Sequence, residues 1–250
     1  MDKILLNIDF FNQLAEYYDL MIPFAKAVER KKDILKNIIT PDQKYAADFG
    51  CGTGTDSIAL AQLGLYVTSF DPSSEMIEKA SSNALNEKVK VDFLLSNAAN
   101  TPKIFNEYFD LIISLGNTFA NIRKQNLFKS LKRCHEVLKK GGILLIQILN
   151  YQKILSGKER IVNITESDAY LFIRFYDFNS GHIVFNSLKV AKSKLSDYSL
   201  ISTKVYPHLK TDFEKLLSKL NFASVEFHSD LQLSPYIESS SKNMIIRCTK

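Results

Sequence analysis

The chain is predicted to be an α/β protein, a parallel sheet with helices on both faces and a small antiparallel sheet inserted late in the sequence. Three observations predict this. From Tyr45 to Leu149, short continuous apolar runs alternate with helical stretches, as expected for strands buried on both faces. Between Glu159 and Lys204 the rhythm changes to period-two alternation, as in Tyr170-Leu171-Phe172-Ile173-Arg174-Phe175, which fits antiparallel strands. Beyond this stretch a helix and two strands return and complete the main sheet.

In chain order, Phe10 to Ile39 reads as helical, with Leu14, Tyr17, Tyr18 and Met21 at spacings of three and four and an interruption at Pro23. Strands are predicted at Tyr45–Phe49, Tyr66–Phe70, Val89–Leu94, Phe109–Leu115 and Ile143–Leu149, with helices at Asp56–Leu63, Ser73–Leu85 and Arg123–Leu138. Gly64 and Gly141-Gly142 read as helix ends. Asn179-Ser180-Gly181 reads as a hairpin turn in the inserted sheet. The last elements are a helix at Leu209–Leu220 and strands at Ala223–Phe227 and Asn243–Cys248. The organisation is a helical lid over 1–40, a ligand-binding core over 41–155, an inserted β cap over 156–206 and completion of the core over 207–250.

Composition narrows the function classes. The 250 residues carry a net charge of +5, but the lysines are scattered, without a run of five basic residues to mark a nucleic-acid or membrane patch. Cys51, Cys134 and Cys248 are far apart and lack metal-ligand spacing. The first residues lack the apolar core of a signal peptide, and no apolar run is long enough to span a bilayer. The expectation is a cytoplasmic protein without a metal, a nucleic-acid partner or a membrane partner.

Chemistry enters at Asp48-Phe49-Gly50-Cys51-Gly52-Thr53-Gly54-Thr55-Asp56, an apolar strand running into a glycine-rich turn that opens a helix. Gly50, Gly52 and Gly54 let backbone N–H groups approach a ligand closely. Dinucleotide sites favour G-x-G-x-x-G facing a pyrophosphate; here Thr55 takes the place of the last glycine, and Asp48 would set a negative charge beside the phosphates. A ligand with an ammonium and a sulfonium suits that carboxylate better, which points to S-adenosylmethionine. Asp71, ending the next strand before Pro72, is placed to accept both ribose hydroxyls.

These residues resemble motif I of the class I S-adenosylmethionine-dependent methyltransferases, whose Rossmann-like fold carries a seven-stranded sheet. More closely, the chain is similar to the glycine N-methyltransferase family of small-molecule enzymes. The likeness lies in Gly50 to Ile58, Val67 to Asp71 with Met76, Leu115-Gly116-Asn117-Thr118-Phe119-Ala120-Asn121-Ile122, Asn150 to Leu155, and Tyr206-Pro207-His208. The resemblance implies that Asp48, Gly50, Gly52 and Gly54 hold the methionine part of the donor and Asp71 the ribose, with Cys51, Pro72 and Met76 also at the donor site. It further places Asn97 and Ala98 at adenine, the Leu115 backbone at the methionine amino group, and Asn117 at the methyl-transfer site. Tyr18 falls where the family has a lid tyrosine, and equally reads as a core aromatic at helical spacing. Homo-oligomers occur in this family and are an expectation here. One departure concerns the acceptor. The glycine-specific enzymes carry a carboxylate-binding arginine where this chain has Leu149; Arg160 and Arg174, in the inserted sheet, could replace it, and glycine itself is not the expected acceptor.

Methyl transfer to an amine needs in-line positioning more than a base. The reading is therefore a small-molecule N-methyltransferase. O- or C-methylation would call for a base, with His208 near the site mouth as candidate and Tyr206 second; a non-catalytic S-adenosylmethionine-binding module and a nicotinamide oxidoreductase are the further alternatives.

Overall fold

Tyr45–Phe49 forms β1, whose Ala46, Ala47 and Asp48 lie almost wholly out of water. Its apolar continuity is explained by its neighbours, since β2 (Tyr66–Asp71) and β4 (Phe109–Ser114) flank it in parallel. A computed structural model describes residues 4–179 and 182–250. Seven strands make the main sheet in the order β10-β11-β5-β4-β1-β2-β3. Here β3 is Asp92–Leu95, β5 is Leu138–Leu149, β10 is Ser224–His228 and β11 is Asn243–Thr249. Strands β1 to β5 run parallel, β11 is antiparallel to β5, and β10 is antiparallel to β11. The connection order reverses between β1 and β4. In open sheets of this kind the crevice beyond the strand C-termini at that reversal is where ligands bind.

Alternation along each strand sends side chains to opposite faces. On one face Leu111, Ile113 and Leu145 pack with Val28 and Leu35 of α3 (Phe24–Leu35), Ile58 and Leu60 of α4 (Thr55–Gln62), and Ala84 of α5 (Ser74–Asn86). On the other face Ile112, Leu144 and Ile146 meet Leu127 and Leu131 of α6 (Lys124–Val137) and Phe213 and Leu217 of α8 (Lys210–Leu217).

The second sheet, in the order β6-β7-β8-β9, is wholly antiparallel: Ile161–Glu166, Tyr170–Asn179, His182–Ala191 and Tyr198–Val205. The N-terminal helices α1 (Asn7–Ala15) and α2 (Tyr18–Met21) pack against it, with Phe10, Leu14, Tyr17 and Met21 around Phe172 and Ile201. Leu5 bridges to Thr203, its amide donating to the Ser202 carbonyl at 2.8 Å.

The architecture is the α/β sheet with helices on both faces and an antiparallel addition that the sequence predicts; several boundaries differ. The helical N-terminal stretch is three helices, with Pro23 capping α3 and a further break at Tyr17. The strand expected from Val89 starts at Asp92, because the Val89 amide closes the end of α5 on the Ala84 carbonyl. Gly141-Gly142 does not cap a helix. β5 begins directly after α6, and Gly141, at φ +79°, sits where the β4–β5 register shifts. A short helix, α7 (Tyr151–Gly157), follows β5 and is capped by the Asn150 side chain. The Asn179-Ser180-Gly181 turn falls on residues 180 and 181, outside the described residues; the flanking strands pair through Asn179 and His182.

Candidate active site

The glycine-rich turn follows β1 and lies against the end of β2: the Gly50 and Cys51 amides both donate to the Phe70 carbonyl, at 2.7 and 3.2 Å. Gly50, Gly52 and Gly54 have φ of +76°, +54° and +90°, a region that favours glycine. They differ in what surrounds them. A Cβ at Gly50 would stand 2.2 Å from Thr118 Cγ2, and one at Gly54 3.1 Å from Ala80 Cβ. At Gly52, as at Gly116 on the facing loop, it would meet nothing within 4 Å. Gly50 and Gly54 are thus fixed by packing, whereas Gly52 and Gly116 border open space.

Asp71 accepts from the Gly52 amide and the Ser73 amide, both at 2.9 Å, so each carboxylate oxygen is aimed by a backbone bond. Burial raises its pKa, against the two amides that lower it. Asp48 is 2% exposed, and the Ser57 hydroxyl donates to it at 2.6 Å. Burial, then the nearby charge of Asp56, pushes its pKa up. Asp56 is paired at 2.7 Å with Lys31 of α3. A buried acid cluster of this kind is stabilised when a cation enters.

Opposite the glycine turn, Leu115, Gly116 and Asn117 follow β4. Asn117 adopts φ +70°, which a non-glycine residue seldom does, and its carboxamide is tied on both sides. Its Nδ2 donates to the Tyr151 hydroxyl and its Oδ1 accepts from the Leu149 amide, both at 2.9 Å. Tyr151 is buried and in turn meets the hydroxyl of Tyr176 from β7. Burial raises both phenol pKa values. The Leu115 carbonyl accepts from Thr118 Oγ1 at 2.9 Å, and the Thr118 methyl is the group that packs over Gly50.

The remaining residues singled out in the sequence fall in different places. Asn97 and Ala98 follow β3 at the same end of the sheet, Asn97 exposed and Ala98 buried. Pro72 is half-buried beside Asp71, whereas Met76 is 1% exposed and packed in the cluster around Phe10 and Phe172. Cys51 is buried, which pushes its thiol well above the usual range. Tyr18 is half-buried, and its neighbour Tyr17, stacked on Phe172, fills the core position. The segment bearing Tyr18 is pinned beside the turn, because Asn83 donates to both Asp19 and the Thr53 carbonyl at 3.0 Å. Tyr206 is half-buried, with its amide on the Ala120 carbonyl at 2.7 Å.

His208 does not stand at a mouth. It is 0% exposed, its Nε2 sits 2.8 Å from the Ile122 carbonyl, its ring lies edge-on to Phe213, and burial lowers its pKa. Its sequence position after the second sheet suggests access; the fold turns it beneath the Asn117 loop instead. Arg160 is exposed and paired with Asp177. Ser57, Thr118, Tyr151 and Tyr176 belong to the site and lack assigned roles in the sequence reading. Tyr151 lies within the Asn150 to Leu155 block, and Tyr176 keeps the alternation of Phe172 and Arg174, which were the available signals.

The residues fit S-adenosylmethionine on the structure's own terms: open space over Gly52 and Gly116, the Asp71 carboxylate held beside that turn by the Gly52 amide, and buried acids suited to a cation. Comparison with known proteins agrees. Residues 46–142 match the methyltransferase domain family. The chain is 25% identical over 226 residues to a glycine/sarcosine N-methyltransferase of Aphanothece halophytica, covering 90% of this chain and 83% of that one. It is 33% identical over 123 residues to human glycine N-methyltransferase, covering 44% of this chain and 42% of the human protein. In fold it is similar to the CcbJ methyltransferase of Streptomyces caelestis, with a TM-score of 0.78, 17% identity and 96% of both chains covered. Fold, site and family model together define a class I S-adenosylmethionine-dependent methyltransferase. Within that class the relatives it resembles include glycine and glycine/sarcosine N-methyltransferases.

Proposed function

We propose that the enzyme methylates the nitrogen of a small-molecule amine. The observation that carries this reading is the absence, among the described residues around Asn117, of a group suited to act as a base. Tyr151 and Tyr176 have pKa values raised by burial, and His208 is occupied with a main-chain carbonyl. An amine that arrives neutral supplies its own lone pair and needs only alignment, whereas hydroxyl and carbon acceptors generally need proton abstraction. The names of the related proteins, glycine and glycine/sarcosine N-methyltransferases, support the same acceptor chemistry.

When bound, S-adenosylmethionine supplies a methyl group already activated on sulfonium. This chain's own residues supply position. Asp71 holds the ribose edge, Asp48 and the glycine turn hold the methionine end, and the Leu115 backbone receives the amino group. Asn117, fixed by Tyr151 and the Leu149 amide, shapes the place where the acceptor nitrogen must arrive. Holding a nucleophile in line in this way is a proximity effect that accounts for a large share of such rate enhancements. Helices α1 and α2 and the second sheet act as a lid and cap that exclude water.

A pH–rate series tests this. With a set of amines of different basicity, the rise of kcat/KM with pH should follow each amine's own pKa, and His208→Gln should leave the profile in place. A single inflection common to all acceptors, lost in His208→Gln, would show enzyme base catalysis and exclude the reading.

A further inference from the structure

The face of β7 turned toward the site carries three side chains two residues apart. Phe172, 0% exposed, stacks on Tyr17 with ring centroids 5.8 Å apart. Tyr176, 3% exposed, belongs to the cluster that contains Tyr151. Strand alternation places Arg174 between them on the same face. It therefore looks into the space bounded by Tyr18 on one side and the Asn117–Tyr151 pair on the other. Its charge reaches the hydroxyls of both Tyr18 and Tyr176, lowering the pKa of each against the larger effect of burial.

The guanidinium is held from behind. Its Nε donates to Asn163 Oδ1 at 2.6 Å, from the residue opposite on β6. Among the described residues no carboxylate lies within ion-pair distance of it, although Arg160 on the outer side has Asp177 and Arg133 has Glu136. Burial lowers its pKa, the sign of a half-buried cation without a compensating anion. Such a group is costly to desolvate unless a counter-charge meets it, and a guanidinium fork matches an oxyanion in a planar, two-bond arrangement.

We infer that Arg174 anchors an anionic group of the methyl acceptor, a carboxylate or phosphate class oxyanion, and so selects anionic amines over neutral ones. The inference rests on the small-molecule amine reading above. It also accounts for Leu149. That residue's amide is taken by Asn117, whose carboxamide leads through Tyr151 to Tyr176, two positions from Arg174. The positive charge thus comes from the second sheet and not from the end of β5.

The test compares matched amines on the wild type, Arg174→Gln and Arg174→Lys: glycine, aminomethylphosphonate and methylamine, then phenylalanine and phenethylamine. The wild type should favour the anionic member of each set. Arg174→Gln should lower kcat/KM for anionic acceptors by ~100-fold, the size expected for removing one partner of a partly buried charge pair. Neutral acceptors should change little, the Kd for S-adenosylhomocysteine should be unchanged, and Arg174→Lys should recover part of the loss. The carboxylate and phosphonate arms separate the two oxyanions. Equal losses on charged and neutral acceptors, a wild-type preference for neutral ones, or weakened S-adenosylhomocysteine binding would overturn the assignment; the last would give the guanidinium to the donor. If no amine in the set is methylated, the amine reading falls, and the anchor is still read separately. Acetate or phosphate should then raise the Tm of the S-adenosylhomocysteine complex in the wild type and not in Arg174→Gln; no rise in either overturns the anchor as well.

Discussion

The side chain of Asn117 donates to the hydroxyl of Tyr151 at 2.9 Å, joining the loop after β4 to the helix after β5. This link ties an asparagine in the left-handed region to a tyrosine that is almost wholly buried. Removing either partner should misplace the acceptor side without emptying the donor side. Tyr151→Phe is expected to lower kcat by roughly 10- to 100-fold, the cost of a small misalignment at the reacting centre. Calorimetry should show S-adenosylhomocysteine affinity within a few-fold of the wild type. Asn117→Ala should cost more, because the Leu149 amide also loses its acceptor.

Two glycines in the same turn should respond differently to alanine. Gly50→Ala combines a left-handed φ of +76° with a Cβ 2.2 Å from Thr118. The backbone strain alone is about 1–3 kcal/mol, and thermal unfolding should show a large fall in Tm. Gly52→Ala has the strain but no clash. It should fold with a smaller fall in Tm and lose donor affinity disproportionately, because its methyl enters the open space over the turn.

Asp71 has its two oxygens aimed by the Gly52 and Ser73 amides. Asp71→Ala should therefore weaken S-adenosylhomocysteine binding strongly and loosen the turn itself, read together by calorimetry and by faster amide exchange at Gly52. Asp71→Asn, which keeps one acceptor oxygen, should fall between that variant and the wild type.

The first strands, the glycine turn and the order of helices were legible in the sequence because local signals and tertiary demands coincide there. Tyr45–Phe49 is short, apolar but for Asp48, and followed by glycines that the left-handed turn requires. Where a residue answers to distant partners, the local signal misleads. Gly141-Gly142 resembles a helix end, yet the pairing of β5 with β4 and with the chain terminus draws it into a strand. His208 follows a proline in a seemingly open stretch, and only the packing of α8 under the Asn117 loop buries it. Arg174 is one of six alternating residues in the sequence; its direction is decided by Phe172 and Tyr176 finding their cores on the same face.

Asp48 should make the protein pH-sensitive in a defined direction. Its pKa in the fold is raised, to about 8, above the ordinary carboxylate value, so the folded state holds a proton that the unfolded chain has lost. The contribution of Asp48 to stability is then fully present below the ordinary carboxylate range and is lost as pH rises toward 8, with a slope approaching ~1.4 kcal/mol per pH unit for one proton. Denaturant melts between pH 5 and 8 should show this slope in the unliganded wild type and not in Asp48→Asn. Binding of S-adenosylmethionine near pH 7 should release a proton, measured by calorimetry in buffers of different ionisation enthalpy, and Asp48→Asn should release none.

The claim that the enzyme methylates an amine nitrogen of a small molecule is tested most directly by following a carbon-13 methyl group. The protein would be incubated with methyl-labelled S-adenosylmethionine and a panel of amino acids, amines, amino sugars and phenols, and the products read by proton–carbon correlation NMR. New N-methyl resonances on small-molecule amines are the expected result. Label appearing only as O-methyl or C-methyl signals, or only in a protein or RNA fraction, would contradict it.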